Sequence, residues 1–240
     1  MILEGATSVK AALEAQKRKV YELIIKKGKN NRNLRYIYQK AKEINVPIVY
    51  KSEDEINDLA KGKTHGGILA RVGERKKEFI DDLNLSPNAF ILLVEGIVDP
   101  YNFGYIVRSA FSAGCEAILM PTYHWHDLEA TIVKSSAGAF EHCQLVQSDN
   151  LVNDVLKFKK QGFHILAGYR KQAIAYDEVN YQGPIVLCIG GELRGLSKNI
   201  LKEVETAIYI PYANNFRNAL NGASAAAVFC FEVLRQRRRK

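Results

Sequence analysis

The stretch that decides the fold reads Glu95-Gly-Ile-Val-Asp-Pro-Tyr-Asn-Phe-Gly-Tyr-Ile-Val-Arg108-Ser-Ala-Phe-Ser-Ala-Gly114, and it follows an apolar run over 90–94. The apolar run is typical of a buried strand, and Asp99-Pro100 favours a turn after it. Apolar residues then return at the i, i+3, i+4, i+7 spacing of a helix packed on a sheet. This stripe consists of Phe103, Ile106, Val107, Ala110, Phe111 and Gly114. The stretch therefore predicts a strand, a loop and a helix over 102–114.

Two polar residues of the predicted helix lie off the apolar stripe. Asn102 is at the position where a side-chain oxygen caps a helix by accepting backbone N–H groups. Arg108 can turn toward the carboxyl end of the strand, where ligands of open α/β sheets usually bind. A capped helix with one solvated arginine would explain both residues equally well, so this stretch alone does not assign a function.

Two later strands enter loops of similar character. The apolar residues 185–189 lead into Gly190-Gly-Glu192-Leu-Arg-Gly195, a glycine-rich loop with one carboxylate. Ala207-Ile-Tyr-Ile210-Pro211 predicts a third strand, which passes through a polar loop to Asn218-Ala-Leu220-Asn221-Gly222 and a long final helix. The small residues at the start of that helix allow a close approach to a ligand or to a neighbouring helix.

Together these units resemble the three sequence motifs of the SpoU (TrmH-like) family of RNA ribose methyltransferases, within the SPOUT superfamily. The motifs are Asp99-Pro100-x-Asn102-x-Gly104-x-Ile106-x-Arg108, then Gly190-x-Glu192-x-x-Gly195, then Ile210-Pro211 followed by Leu220-Asn221. Lys134-Ser-Ser-Ala-Gly-Ala-Phe-Glu-His142 and the tail Arg235-Gln236 also fit. The resemblance spans residues 90–237 and implies an α/β trefoil-knot (SPOUT) domain in which the three motif loops meet, although knotted chains are rare.

The resemblance implies methyl transfer from S-adenosylmethionine to a ribose 2′-hydroxyl of structured RNA, with ribosomal RNA favoured over tRNA. It assigns the catalytic roles to Arg108, Asn102, Glu192 and Asn221, and the cofactor contacts, largely through backbone groups, to Gly190, Ile210 and Leu220. A guanidinium with a pKa above about 12 is a poor proton acceptor. We therefore expect Arg108 to stabilise the developing alkoxide and to hold the adjacent phosphate. Glu192 is expected to anchor Asn102, Arg108 or the loop backbone.

One departure from the family pattern concerns the third motif. Ala219 stands where the family usually has serine, and the loop after Pro211 is longer than usual. Asn218 or Ser224 could supply the missing polar group. The departure keeps open a second interpretation, an RNA-binding or ribosome-assembly homologue with weak or no catalysis. A methyltransferase that protects the ribosome against an antibiotic shares these motifs and is a third.

The first 75 residues predict a small α/β domain of their own. Apolar patterns alternate as a helix after a Thr7-Ser8 cap, a strand over 20–25, a helix over 31–44, a strand over 46–50, a helix over 53–60 and a strand over 67–72. Its ends, including Thr64-His65-Gly66-Gly67, resemble the ribosomal-protein-like RNA-binding domain that precedes many SpoU catalytic domains. We interpret His65 as a residue that holds its turn by hydrogen bonds, with an RNA contact as the alternative. Residues 76–88 are charged, contain Pro87 and predict a linker, so the methyltransferase domain is placed at 89–240.

Within that domain the apolar patterns predict an alternating series of elements. They are strands over 90–98, 116–120, 143–147, 163–167, 185–190 and 207–211, and helices over 102–114, 127–137, 150–161, 197–204 and from 222 onward. The alternation is typical of a parallel sheet covered by helices.

Charge and cysteine usage limit the remaining functions. The net charge is +8, with basic clusters around Lys17-Arg18-Lys19, Lys26 to Arg35 and Arg235 to Lys240, which favours a polyanion such as RNA. The four dispersed cysteines predict reduced core residues, no apolar run could span a bilayer, and no signal peptide is recognisable. These features predict a cytoplasmic protein with no membrane partner.

No nucleotide-binding glycine motif or zinc-type histidine pair occurs, so no metal is expected. We interpret His124-Trp125-His126 as loop or surface packing, with base stacking as the alternative. The resemblance further implies a homodimer, which the final helix could help to form.

Overall fold

The computed structural model describes residues 1–30, 32–123, 128–215 and 218–238. His124-Trp125-His126 therefore lies outside the described residues. The chain forms two compact units: an N-terminal unit of Met1–Lys76 with Trp125–His142, and a C-terminal unit of Lys77–His124 with Cys143–Lys240.

The chain up to Lys76 forms β1 (Ile2–Glu4), α1 (Ala6–Ala15), β2 (Arg18–Lys26), α2 (Arg32–Glu43), β3 (Ile48–Lys51), α3 (Glu53–Leu59) and β4 (Ile68–Arg75). The rest forms a 3-10 turn (Ile80–Asp82), β5 (Phe90–Glu95), α4 (Pro100–Ser112), β6 (Ala117–Pro121), α5 (Glu129–Ser135), α6 (Ala139–His142), β7 (Gln144–Ser148), α7 (Leu151–Lys160), β8 (His164–Gly168), β9 (Ile174–Ala175), a second 3-10 turn (Tyr176–Glu178), β10 (Ile185–Gly190), α8 (Lys198–Glu203), β11 (Thr206–Tyr209) and α9 (Gly222–Arg237).

The sheet of the N-terminal unit has the order β1-β4-β2-β3, in which β2 and β3 are parallel and the other pairs are antiparallel. The predicted Thr7-Ser8 cap is wrong, because α1 already starts at Ala6, with Gly5 as its N-cap and no side-chain cap. The turn role of His65 is confirmed. Its Nδ1 accepts a hydrogen bond of 3.1 Å from the Gly67 amide, and its Nε2 lies 3.1 Å from Asn57 Oδ1.

Helices α5 and α6 pack within the N-terminal unit around a buried arginine. Arg18 Nε donates to Glu141 Oε2 at 3.0 Å, and Arg18 also pairs with Glu129 and with the Gly73 carbonyl. The Arg18 and Glu141 side chains have no solvent exposure. Arg18 is thus not part of a solvated basic cluster, which corrects the interpretation of Lys17-Arg18-Lys19, because two carboxylates far along the chain bury it.

The sheet of the C-terminal unit has the order β7-β6-β5-β10-β8-β11-β9, and all its paired strands are parallel. This confirms the predicted parallel α/β domain. β10 lies between β5 and β8, and its register pairs Gly190 with Glu95. The first two motif loops therefore leave the sheet side by side.

The core of this unit is formed by the strands and by one face of α4. Phe103, Ile106, Val107 and Ala110 are buried as predicted, whereas Phe111 is 42% exposed and Gly114 is exposed. Gly114 lies beyond the end of the helix, and Phe111 lies in its last turn outside the buried face.

The four cysteines are free and buried, as predicted. Burial raises the pKa of the Cys230 thiol to about 12, so at neutral pH it stays protonated and unreactive. None of the described helices has the length and apolar character needed to cross a membrane.

Candidate active site

The first motif loop is set by Asp99. Its Oδ1 accepts a hydrogen bond of 2.7 Å from the Asn102 amide, and Pro100 takes the first helical position, where its fixed φ suits a helix start. The predicted cap at Asn102 is therefore wrong. Since Asp99 caps α4, the Asn102 side chain is available for another contact.

That contact is with the second motif loop. Asn102 Nδ2 donates to Glu192 Oε1 at 3.2 Å, and the same oxygen accepts from the Gly222 amide at 3.3 Å. One carboxylate oxygen thus joins three loops that lie far apart in sequence. The structure brings together Asn102, Glu192 and the start of the third-motif helix, as expected for one site.

Asn221 begins α9 as its N-cap. Its Oδ1 accepts a hydrogen bond of 2.7 Å from the Ser224 amide, so its side-chain oxygen satisfies an otherwise unpaired helical donor. Gly222 follows, and a Cβ added there would lie 2.7 Å from Ile97 Cδ1. The absence of a side chain lets the helix start approach the first motif loop closely.

The glycines of the second motif are required by close backbone contacts. The Gly191 amide donates to the Glu95 carbonyl at 2.7 Å. A Cβ on Gly191 would lie 2.0 Å from the Gly96 carbonyl oxygen, and one on Gly190 would lie 2.5 Å from the Gly195 carbonyl carbon. No side chain fits at either position unless the backbone moves.

Glu95 is a site residue to which sequence reasoning assigned no role. Its Oε2 accepts a hydrogen bond of 2.7 Å from the Ser197 amide, so the end of β5 ties down the exit of the second motif loop. In the sequence, this role is indicated by a carboxylate at the last position of a buried strand.

A cleft of about 390 Å³ opens beside these loops at the carboxyl ends of β8, β10 and β11. It contains all three residues predicted to contact a cofactor, together with Glu192 and Ala219; the five are Gly190, Glu192, Ile210, Ala219 and Leu220. Its apolar wall includes Ile189, Leu196, Ile208 and Phe229, and its basic residues are Arg170, Lys171 and Arg194. The cleft suits a small molecule with an apolar part that is recognised largely by backbone groups.

Arg108 lies about 9 Å from Asn102 along the axis of α4. It is exposed, and it forms no hydrogen bond or ion pair with the residues that the structure describes. It shares a helical face with the exposed Tyr101 and Tyr105. The sequence left open whether Glu192 anchors Arg108. In the structure Arg108 contacts neither Glu192 nor Asn102.

Two further residues that sequence reasoning missed hold the third motif loop. Tyr212 follows Ile210-Pro211, and its hydroxyl accepts a hydrogen bond of 2.8 Å from the Leu220 amide. Arg170 lies over the Tyr212 ring, 4.6 Å from its centroid. Neither residue belongs to a motif, so only their positions at neighbouring strand ends reveal them.

The predicted RNA contact of the basic cluster from Arg235 to Lys240 needs correction for two of its residues. Arg237 donates to the carbonyls of Asn88, Tyr181 and Gly183 at 2.6, 3.1 and 2.8 Å. These carbonyls lie at the amino ends of β5 and β10, opposite the cleft. Arg235 is paired with Glu232. Arg237 thus ties the end of α9 to these carbonyls and Arg235 pairs within α9, while Arg239 and Lys240 lie outside the described residues.

The fold and the cleft define an α/β domain that binds a small molecule at the carboxyl edge of a parallel sheet. The chain belongs to the SpoU rRNA methylase family, whose model matches residues 89–231. A second family model, described as RNA 2'-O ribose methyltransferase substrate binding, matches residues 2–77. The family predicted from the three motifs is confirmed.

Individual relatives match along nearly the whole chain. The 23S rRNA (guanosine-2'-O-)-methyltransferase RlmB of Photobacterium profundum is 29% identical over 239 residues, covering 97% of this chain and 96% of that protein. The SpoU methyltransferase AviRb of Streptomyces viridochromogenes, solved in complex with the cofactor AdoMet, has a TM-score of 0.82 at 21% identity, covering 100% of this chain and 91% of that one. An AdoMet-bound rRNA methyltransferase from Sinorhizobium meliloti has a TM-score of 0.81 at 19% identity, covering 98% and 86%. These likenesses confirm the fold of both parts of the chain.

Proposed function

We propose that this chain transfers a methyl group from S-adenosylmethionine to a ribose 2′-hydroxyl of ribosomal RNA. The observation that carries the proposal is the single oxygen of Glu192 that joins the three motif loops beside the cleft. Family membership and the names of the full-length relatives support the reaction class and the substrate.

The residues of the cleft fit S-adenosylmethionine. Its volume of about 390 Å³ falls in the usual range for small-molecule sites. Gly190 has no side chain, so only its backbone can line the cleft, and Ile210, Leu220 and further apolar residues line the remainder. The cofactor, when bound, supplies an electrophilic sulfonium methyl. We propose that Gly190, Ile210 and Leu220 hold it.

The polar residues of the loops then orient the RNA. Because Glu192 accepts from Asn102 Nδ2, the Asn102 carboxamide is fixed, and its oxygen can accept a hydrogen bond from a substrate donor. Arg108 carries a permanent charge that stabilises a developing alkoxide and the adjacent phosphate. As a guanidinium is no general base, the hydroxyl proton leaves to the phosphate or to water. We propose that Asn221 aligns the third motif loop.

The N-terminal unit has features suited to RNA. Three lysine–tyrosine pairs place a cation over an aromatic ring, namely Lys10 over Tyr36, Lys19 over Tyr21 and Lys42 over Tyr38. Tyr21 and Tyr36 are close to half exposed. Exposed rings can stack on unpaired bases while lysines contact phosphates, so we assign substrate binding to this unit. A ribosomal RNA substrate and four reduced cysteines support a cytoplasmic location.

We further propose that two copies of the chain associate through a surface formed by exposed residues of α4 and α9. Tyr101, Tyr105 and Phe231 are about half exposed on α4 and α9, and large exposed aromatic residues mark interaction surfaces. A second copy on this face would also cover Arg108. Light scattering after size exclusion should give twice the monomer mass, and Tyr105→Glu should shift it toward the monomer.

The chain path is also part of the proposal. The insertion of β10 between β5 and β8 supports the threaded path that the family resemblance implies. The knot itself stays a prediction.

Methylation of RNA from a strain that lacks this gene tests the function. Purified protein should incorporate tritium from labelled S-adenosylmethionine into ribosomal RNA, and ribose-methylation mapping should locate one nucleotide absent from the deletion strain. Ala219 in the cleft wall favours the second candidate, a non-catalytic RNA-binding homologue. Cofactor and RNA binding without incorporation would select that candidate.

A further inference from the structure

The loop after Pro211 is held by two residues from neighbouring strand ends. β8 and β11 are paired in the sheet, and the Tyr169 amide donates to the Ile208 carbonyl at 3.0 Å. Arg170 follows directly after this bond, and Tyr212 leaves the end of β11. The sheet therefore places the two side chains beside each other.

These side chains form a connected set of contacts with the cleft wall. The Arg170 guanidinium lies 4.6 Å from the Tyr212 ring centroid, and its Nη2 donates to the Asn218 carbonyl at 3.4 Å. The Tyr212 hydroxyl accepts from the Leu220 amide at 2.8 Å. Arg170, Tyr212 and Leu220 all line the cleft. The contacts thus hold both ends of the segment 218–220 that forms this wall.

We propose that Tyr212 is a positioning residue of the cofactor cleft, and that Arg170 holds its ring in place. Together they fix the Ala219–Leu220 wall in the shape that receives the cofactor. This inference rests on the proposed function, because it takes the ligand of the cleft to be the methyl donor. It explains how a third-motif loop that is longer than usual and lacks the usual serine can still present a defined surface.

The hydrogen bond between the Leu220 amide and Tyr212 predicts whether a Tyr212 substitution weakens or strengthens cofactor binding. The bond from the Leu220 amide to the Tyr212 hydroxyl fixes the backbone of the Ala219–Leu220 wall, which lines the cleft. Ordering this wall before binding lowers the entropy lost on binding. Removal of the Tyr212 hydroxyl should therefore weaken cofactor binding, whereas a hydroxyl that merely competes for the Leu220 amide would have the opposite effect.

Hydrogen exchange at the Leu220 amide tests the contact itself, without any ligand. Tyr212→Phe keeps the ring under Arg170 and removes only the acceptor. We expect the Leu220 amide to exchange roughly five- to tenfold faster, the factor that corresponds to a net hydrogen bond of about 1 kcal/mol. Tyr50→Phe, on β3 in the N-terminal unit, is the matched control and should leave this amide unchanged. Equal exchange in Tyr212→Phe and in the unmodified protein would overturn the contact.

Calorimetric binding of S-adenosylhomocysteine, the unreactive product of the donor, tests the positioning role. Tyr212→Phe should raise its Kd by a similar factor of roughly five, and should raise the KM for S-adenosylmethionine while kcat at saturating donor stays near its original value. Arg170→Gln should act in the same direction. The double variant should show less than the product of the two effects, because the residues act in series. Arg170→Lys keeps the charge over the ring and should recover part of the loss.

Each alternative result has a distinct meaning. An unchanged or tighter Kd in Tyr212→Phe would overturn the positioning role, and a fall in kcat with an unchanged KM would do the same. If the unmodified protein binds no S-adenosylhomocysteine, the proposed function fails and the cofactor role fails with it. In that case Leu220 exchange still decides whether Tyr212 holds the wall.

Discussion

Glu192 Oε1 lies 3.2 Å from Asn102 Nδ2, although the two residues are 90 positions apart in the chain. The same oxygen accepts from the Gly222 amide. Hydrogen bonds to a charged acceptor are among the stronger ones in proteins. The geometry of the three motif loops therefore depends on the Glu192 side chain.

Glu192→Ala should lower methyl incorporation strongly. Loss of a charged hydrogen bond costs about 1.5–3 kcal/mol, which corresponds to a roughly 10- to 100-fold fall in kcat/KM. Glu192→Gln keeps an acceptor oxygen and should lose less. Single-turnover incorporation of tritium into ribosomal RNA measures both variants.

Thermal unfolding provides the control for this prediction. Loss of the loop contacts of Glu192 should lower the melting temperature by several degrees, the shift expected for about 1.5–3 kcal/mol, and the protein should stay folded at the assay temperature. Full activity in Glu192→Ala would contradict the central place given to this side chain.

Arg108→Lys tests the planar fork of the guanidinium. A lysine keeps the charge but cannot donate two parallel hydrogen bonds to a phosphate or alkoxide, so incorporation should fall by roughly 100-fold, as for loss of one transition-state donor. Arg108 does not line the cleft, so the Kd for S-adenosylhomocysteine should stay unchanged. Turnover equal to that of the unmodified protein would refute the role assigned to Arg108.

Much of the C-terminal fold could be predicted from the sequence because its strands are uninterrupted apolar runs. The run over 185–190 predicts β10 with its observed bounds, since a strand buried on both faces is a short continuous apolar run and glycines bound this one. β1 has only three residues, too few to show an alternation, and it was missed.

The candidate site could be predicted in outline but not in its contacts. Asp99 and Asn102 both belong to residue types that cap helices, and only the proline between them indicates that Asp99 takes this role. The contacts of Arg170 with Tyr212 depend on the pairing of β8 with β11. Sequence patterns do not reveal which strands become neighbours.

The buried arginine of the N-terminal unit leads to a stability prediction. Arg18→Met removes the partner of Glu141 and of Glu129 and leaves a carboxylate buried. Breaking such a pair costs about 3–5 kcal/mol. Urea unfolding of the whole protein should show a lower midpoint for the transition of this unit. Glu141→Gln should cost less, because Arg18 keeps Glu129 and the Gly73 carbonyl.

The same cluster sets a pH dependence. Burial raises the pKa of the Glu141 carboxyl, while Arg18 opposes that rise. A group whose pKa is raised in the folded state binds its proton more tightly there, so stability is greatest below the unfolded pKa and falls as pH rises through the folded one. Arg18→Met removes the opposing charge and should steepen this fall. Urea midpoints from pH 4 upward measure it, and a variant that becomes more stable with rising pH would contradict the assignment.

Ala219→Ser tests whether the departure from the family pattern limits catalysis. Ala219 lines the cleft next to Leu220. The Asn218 backbone carbonyl accepts from Arg170 and the Ser224 backbone amide donates to Asn221, so these two contacts leave open whether either side chain replaces the serine hydroxyl. A serine hydroxyl would add one donor and one acceptor at this wall. We expect kcat to rise by roughly two- to tenfold, the range of one net hydrogen bond, with an unchanged Kd for S-adenosylhomocysteine.

Ala219→Val serves as the steric control and should weaken cofactor binding without raising kcat. A serine variant with no gain would mean that the loops held by Glu192 and Tyr212 need no hydroxyl at this position. A measurable rate only in the serine variant would instead identify the natural chain as the non-catalytic homologue.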